Sequence, residues 1–323
     1  TGATRVKVEF TDVTGNQWGG NYGFSVTNPS LTTSVASPSV VNLTGSGNTS
    51  LGGNTLAISG ASGSYAGVIS GSGGITKQGS GSWTLSNAHS YTGATTISAG
   101  TLTVTGSLSD SAAVAVASGA TYALGASDTI ASLSGAGYVT LNDKTLTLAN
   151  AAGTYSGAMS GTGGSLVLTT GALTLSGANS YTGGTTINGG TLSLGASNVL
   201  ADTGAVNVSG GSFDIATYSD TIGAVTLSSG SIAGTSGVLT AAGYSVTNTT
   251  GTTTISAKLA GAVSLTKSGA GSLTLSGANS YSAGTTINAG TLSLGASNVL
   301  ADTGAVNVSG GTLAISGYSD TVG

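Results

Sequence analysis

The chain has 323 residues, of which 57 are glycine, two are proline and none is cysteine, so disulfide and thiolate chemistry are excluded. Six basic and ten acidic side chains leave a net charge of −4, which offers no electrostatic footprint for nucleic acid and no basic stretch for a membrane surface. No run of 18 apolar residues points to membrane insertion by this segment, and no Gly-x-y period points to collagen.

Taken in chain order, residues 1–28 stand apart. They carry Arg5, Lys7, Glu9 and Asp12 together with Phe10, Trp18, Tyr22 and Phe24. Residues 5–10 alternate polar and apolar, which predicts a half-buried strand with Val6, Val8 and Phe10 on one face. Residues 17–20 read as a turn and residues 22–26 as a second strand, making a short β-hairpin or donor-strand-like segment. Both prolines, Pro29 and Pro38, fall in residues 29–40, which read as a linker or edge segment because proline removes a ladder donor.

From residue 41 to residue 323 the sequence repeats. Residues 171–223 return as residues 271–323 with 43 of 53 positions identical, and a looser copy runs from Gly81 to Leu133. Such self-similarity signals a repeat architecture, here three super-repeats of about residues 41–134, 135–234 and 235–323. Within each copy a shorter beat appears. Leu173 and Leu175, Leu192 and Leu194, and Phe213 and Ile215 are apolar pairs at i, i+2, the period of a strand with one buried face. Leu175 precedes Leu194 by 19 residues, as Val208 precedes Leu227, with Gly, Asn, Ser and Asp turning the chain between.

A strand–turn unit of that length fits one coil of a β-solenoid, whose apolar face is buried only by stacking on its neighbours. The spacing predicts about 14 coils and, with strands about 4.8 Å apart, a rod of about 65–70 Å. No helix is expected beyond a single turn at residues 196–201.

Few residues carry chemistry. Asp110 and Asp128, Asp202 and Asp220, and Asp302 and Asp320 are each 18 residues apart. With a coil of that length they would stack as carboxylate pairs able to work as acid and base or to hold Ca²⁺. In turns they would only bond nearby backbone N–H groups. Two carboxylates fall short of the six to eight oxygens that Ca²⁺ takes, so no metal or cofactor is expected. His89, the one histidine, replaces the Asn179 and Asn279 of the sister copies and reads as a surface turn residue. Tyr91, Tyr181 and Tyr281 recur at one repeat position, either as ligand-facing aromatics for sugars or partners or as packing beside a glycine turn. Asn188 and Asn288 suggest an internal amide ladder. Arg5 is the one arginine, and the lysines at 77, 144, 258 and 267 are scattered, so no residue is assigned a catalytic role.

Residues 271–292 (GSLTLSGANSYSAGTTINAGTL), residues 171–192 and, more diverged, residues 81–102 (GSWTLSNAHSYTGATTISAGTL) resemble the autotransporter-associated β-strand repeat, also called the passenger-associated transport repeat. The resemblance spans about 280 residues. It implies a right-handed parallel β-helix in a secreted or surface-displayed bacterial protein, in the manner of type V secretion passengers that serve as stalks, adhesins or matrix components.

The composite expectation is an all-β parallel solenoid preceded by a short non-repeat β segment. It would be extracellular and non-enzymatic, acting as a rod, stalk or filament subunit with an adhesin-like role. The alternative is a polysaccharide-binding or polysaccharide-degrading β-helix protein. Gly323 corresponds to Gly223, after which the repeat calls for another strand. Either the natural chain continues, or copies associate head-to-tail through residues 5–10 into a filament. Glycans and other cells are the further partners expected.

Overall fold

The computed structural model describes residues 38–60 and 62–323, so Val6, Val8 and Phe10 lie outside the described residues. Every regular element described is a strand of two to four residues, and every strand pairing is parallel. The described residues wind as a β-solenoid of about 14 coils.

The coils present three faces in the order first, second, third. The first face is one unbroken sheet of 15 strands from Ser39–Val40 to Thr312–Ala314. The second carries six strands from Gly63–Tyr65 to Ala158–Ser160, and later three more, from Asp220–Ile222 to Lys258–Ala260. The third begins with Thr49–Ser50 and Ile69–Ser70, then resumes as ten strands from Asp128–Ile130 to Val306–Val308.

The register follows the leucine pairs. Leu173 aligns with Leu192 and Leu175 with Leu194, while Val208 aligns with Leu227, each one strand spacing from its partner. Alternation sends these residues inward and their neighbours Thr174 and Ser193 outward, so the Thr-Leu-Ser-Leu pattern fills a core without presenting an apolar outer face. Each fully buried leucine contributes about 1.5–3 kcal/mol, delivered only when the next coil closes over it.

Where the sheets break is set by repeat spacing. Tyr181 and Tyr281 are 100 residues apart, and five coils separate Ala172–Leu175 from Ser272–Leu275 on the first face. Tyr91 and Tyr181 are only 90 residues apart, which takes the chain four coils and two faces onward. The same motif therefore changes face. Ser82–Leu85 lies on the second face, whereas its equivalents Ala172–Leu175 and Ser272–Leu275 lie on the first. The Ser-Tyr segment that follows forms no strand. It interrupts the third face at residues 89–90 and the second at residues 179–180 and 279–280.

Among the described residues no helix forms, as expected, and residues 196–201, where at most a single turn is allowed, make none. Those residues form bends, with Asn198 at φ 55°, a left-handed conformation that asparagine tolerates and a helix excludes.

Candidate functional site: the polar ladder between coils

The interruptions in the sheets are where polar side chains enter the solenoid. Asn179 is buried. Its Oδ1 accepts the Met159 N–H (2.8 Å) and its Nδ2 donates to the Val199 carbonyl (3.0 Å), so one amide ties three successive coils. Asn279 does the same between Leu259 N–H (2.9 Å) and the Val299 carbonyl (2.6 Å). One coil further, Asp220 Oδ2 accepts both Val199 N–H (2.9 Å) and Leu200 N–H (3.1 Å), and Asp320 repeats this with Val299 and Leu300. Each bend therefore has an amide beneath it and a carboxylate above it. A neighbouring strand would have offered carbonyl oxygens to the Met159, Leu259, Val199, Leu200, Val299 and Leu300 N–H groups; the irregular segments do not, and the side-chain oxygens of Asn179, Asn279, Asp220 and Asp320 accept those N–H groups instead.

In the first copy the equivalent column, on the third face, is built from other chemistry. His89 is 4% exposed, with Nδ1 accepting the Ile69 N–H (3.1 Å), and burial pushes its imidazole down to about 4. Asp128 accepts Leu108 N–H (3.1 Å) and the Tyr122 hydroxyl (2.6 Å), and burial raises its carboxyl to about 6. Burial also raises the Asp220 carboxyl.

Several expectations need correction. The aspartates do not stack in pairs, because the coil is near 20 residues and carboxylates 18 apart fall two positions out of register. Asp128 stands over Leu108, while Asp110, Asp202 and Asp302 are exposed in turns. His89 is not a surface residue, since the bend that carries it inserts its side chain between coils. Of the two readings of Tyr91, Tyr181 and Tyr281 the ligand-facing one fails and the packing one holds: all three are buried, their hydroxyls bonded to Thr95, Thr185 and Thr285 at 2.6–2.7 Å, so their rings face the core. Asn188 and Asn288 are exposed and accept hydrogen bonds from Ser209 and Ser309 at 2.7 Å on the outer surface. The internal amides are Asn179 and Asn279.

Two residues escaped sequence reasoning altogether. Lys77 and Lys267 are fully buried, each in an interior column between apolar neighbours, Ile58 and Ile97 for the first and Val246 and Ile287 for the second. Lys77 Nζ donates to the Gly79 carbonyl (2.5 Å) and the Ala99 carbonyl (3.2 Å), and Lys267 Nζ donates to the Gly269 carbonyl. Desolvation lowers both ammonium groups from the usual lysine range. The signal was present in Ile-Thr-Lys and Leu-Thr-Lys, where the lysine shares the inward parity of the preceding apolar residue.

Two shallow open depressions mark the surface. One, of ≈ 390 Å³, lies among Ser280, Asn298, Asp302 and Thr303; the other, of ≈ 320 Å³, among Thr226, Ser245 and Thr266. Neither brings an acid, a base and a nucleophile together. Among the described residues no group of three or more His, Cys, Asp or Glu could hold a metal ion.

Comparison with known proteins agrees with this geometry. Residues 75–104, 170–194 and 265–294 match the family model of the passenger-associated-transport repeat. A stretch of 136 residues is 42% identical to the adhesin BmaC autotransporter of Brucella suis biovar 1 (strain 1330), covering 41% of this chain and 4% of that protein. The chain thus spans a small part of the length of the curated relative it matches. No solved structure matches.

Proposed function

Because three passenger-associated-transport repeats lie in this solenoid, we propose that the chain is a non-enzymatic rod segment of a secreted or cell-surface passenger with an adhesin-like role. The observation that carries the reading is where the reactive side chains go. His89, Asp128, Asp220, Lys77 and Lys267 are all turned into the stack and bonded to backbone groups. A polysaccharide-cleaving site would need carboxylates facing a groove across from one another. The unbroken 15-stranded sheet runs the length of the described solenoid, as a mechanical spacer would require.

Filament formation belongs to the same proposal. Residues 5–10 alternate polar and apolar, the pattern of a strand that can add to the edge face of a parallel coil. A second copy meeting that face with its residues 5–10 would propagate head-to-tail, since a heterologous contact of this kind does not close on itself.

Electron microscopy of the purified chain, with and without residues 1–28, tests the reading alongside a reducing-end assay on a polysaccharide panel. Narrow rods of about 65–70 Å or their end-to-end multiples are expected, with no sugar released. Released sugar would overturn the non-enzymatic part. Fibres unaffected by the deletion, or a monomer at every concentration, would overturn the donor-strand part. Beads coated with the chain should adhere to cells more than bare beads do.

A further inference from the structure

The three copies of the ladder differ in one respect that bears on behaviour. At the position beneath the bend, two copies hold an amide and one holds an imidazole. Asn179 and Asn279 accept on one side and donate on the other, and an amide keeps that arrangement at any physiological pH. His89 is bonded differently. Its Nδ1 accepts from the Ile69 N–H, which fixes the neutral tautomer with the proton on Nε2, and Nε2 is buried with no hydrogen-bond partner among the described residues.

We propose that His89 is an acid-sensitive rung of the solenoid, whose protonation loosens the stacking of the coils through Ile69, His89 and Leu108 while leaving the two asparagine rungs in place. The argument is one of donors and acceptors. Protonating Nδ1 turns the acceptor of the Ile69 N–H into a second donor, so two N–H groups then face each other inside the stack. The buried Ile69 N–H loses its partner, and a cation is left where no anion meets it.

The surroundings offer no rescue. On its own bend the nearest ionisable group is Tyr91, whose ring centroid is 6.3 Å away and whose hydroxyl is engaged by Thr95. The preceding coil brings Ile69 and, on the second face, Tyr65, whose hydroxyl bonds to Thr49 and Gly47. Lys77, on the first face between them, is tied to Gly79 and Ala99. The following coil brings Leu108 and the exposed Asp110. One coil beyond lies Asp128, committed to Leu108 N–H and Tyr122. None of these pairs with His89.

The site is also locally weak. No strand crosses the third face between Ile69–Ser70 and Asp128–Ile130, so bends such as Ser90 N–H to Ile69 carbonyl (2.9 Å) and His89 N–H to Ser107 carbonyl (2.9 Å) carry the stacking there. Burial holds the imidazole at about 4, below its ordinary value of 6.5. The unfolded chain therefore binds more protons, and the contribution of this rung is complete above about pH 6.5 and is lost as pH falls toward about 4.

Because the chain has a single histidine, its imidazole resonances report this site alone. The test is a side-chain NMR titration of the intact chain, combined with amide hydrogen exchange at about pH 7 and about pH 4.5, corrected for intrinsic rates. The expected result is a midpoint more than about one unit below the unfolded value, with protection around Ile69 and His89 falling about tenfold or more relative to the rungs at Asn179 and Asn279. In His89→Asn, which installs the residue of the sister copies, that selective loss should vanish. A folded-state midpoint near 6.5 would overturn the proposal. So would a loss of protection equal at all three rungs, or one that persists in His89→Asn.

Discussion

Two regions of this molecule have nearly the same sequence and different surroundings. Val208, Ile215 and Ile222 are 1%, 0% and 1% exposed, whereas their equivalents Val308, Ile315 and Val322 are 46%, 49% and 45% exposed. The strands are the same too, Val206–Val208 against Val306–Val308 and Ser212–Asp214 against Thr312–Ala314. Local sequence therefore decides which side chains turn inward, and the neighbouring coil decides whether inward means buried. A solenoid coil supplies one half of a core, which is why its stability belongs to interfaces between coils more than to any coil alone.

The largest effect should come from emptying a position that is buried in one region and open in the other. Ile215→Ala should cost about 2–5 kcal/mol and Ile315→Ala less than about 1 kcal/mol, read as the shift of the denaturation midpoint at unchanged slope. Equal costs would break the comparison. Next come the amides. Asn179→Ala leaves Met159 N–H and the Val199 carbonyl without their side-chain partner inside the stack, for an expected loss of about 2–3 kcal/mol, while Asn188→Ala on the outer surface should stay within about 0.5 kcal/mol.

A subtler effect is electrostatic and depends on pH. The folded Asp128 carboxyl is raised to about 6 from 3.8, so the folded state binds more protons across that window. The contribution of this group is most favourable below about 3.8 and is lost as pH rises through about 6, opposite in sign to that of His89. Asp128→Asn should therefore gain up to about 2–3 kcal/mol on the wild type at pH 7 relative to low pH, measured as the difference in midpoints. A flat difference would mean that Tyr122 and Leu108 compensate the buried charge fully.

Much of the fold was legible because two periods coincide in the sequence, the i, i+2 alternation within strands and the 19-residue step between Leu175 and Leu194. The face on which each motif sits was encoded less openly, in the contrast between 90 and 100 residues from one Ser-Tyr to the next. The ladder was harder to read because a bend has no parity rule. Asn179 and His89 look like exposed turn residues by type, yet the bend offers no carbonyl to the Met159 or Ile69 N–H of the preceding coil and draws a side-chain acceptor inward to replace it. Asn188 was misread for a simpler reason. It follows the inward Ile187 and must point outward. Tyr181 lies four residues before Thr185, and only the folded bend brings the two together across the core.

The most direct test of coil-dependent burial is to cover the open coil. Appending a copy of residues 224–243 after Gly323 would place on residues 306–322 the strands that cover residues 206–222, and amide hydrogen exchange can be compared at the paired positions. The account predicts that protection at Val308, Ile315 and Val322 rises to match that at Val208, Ile215 and Ile222. Protection that stays at its original level in the extended chain, with the added residues folded, would contradict it.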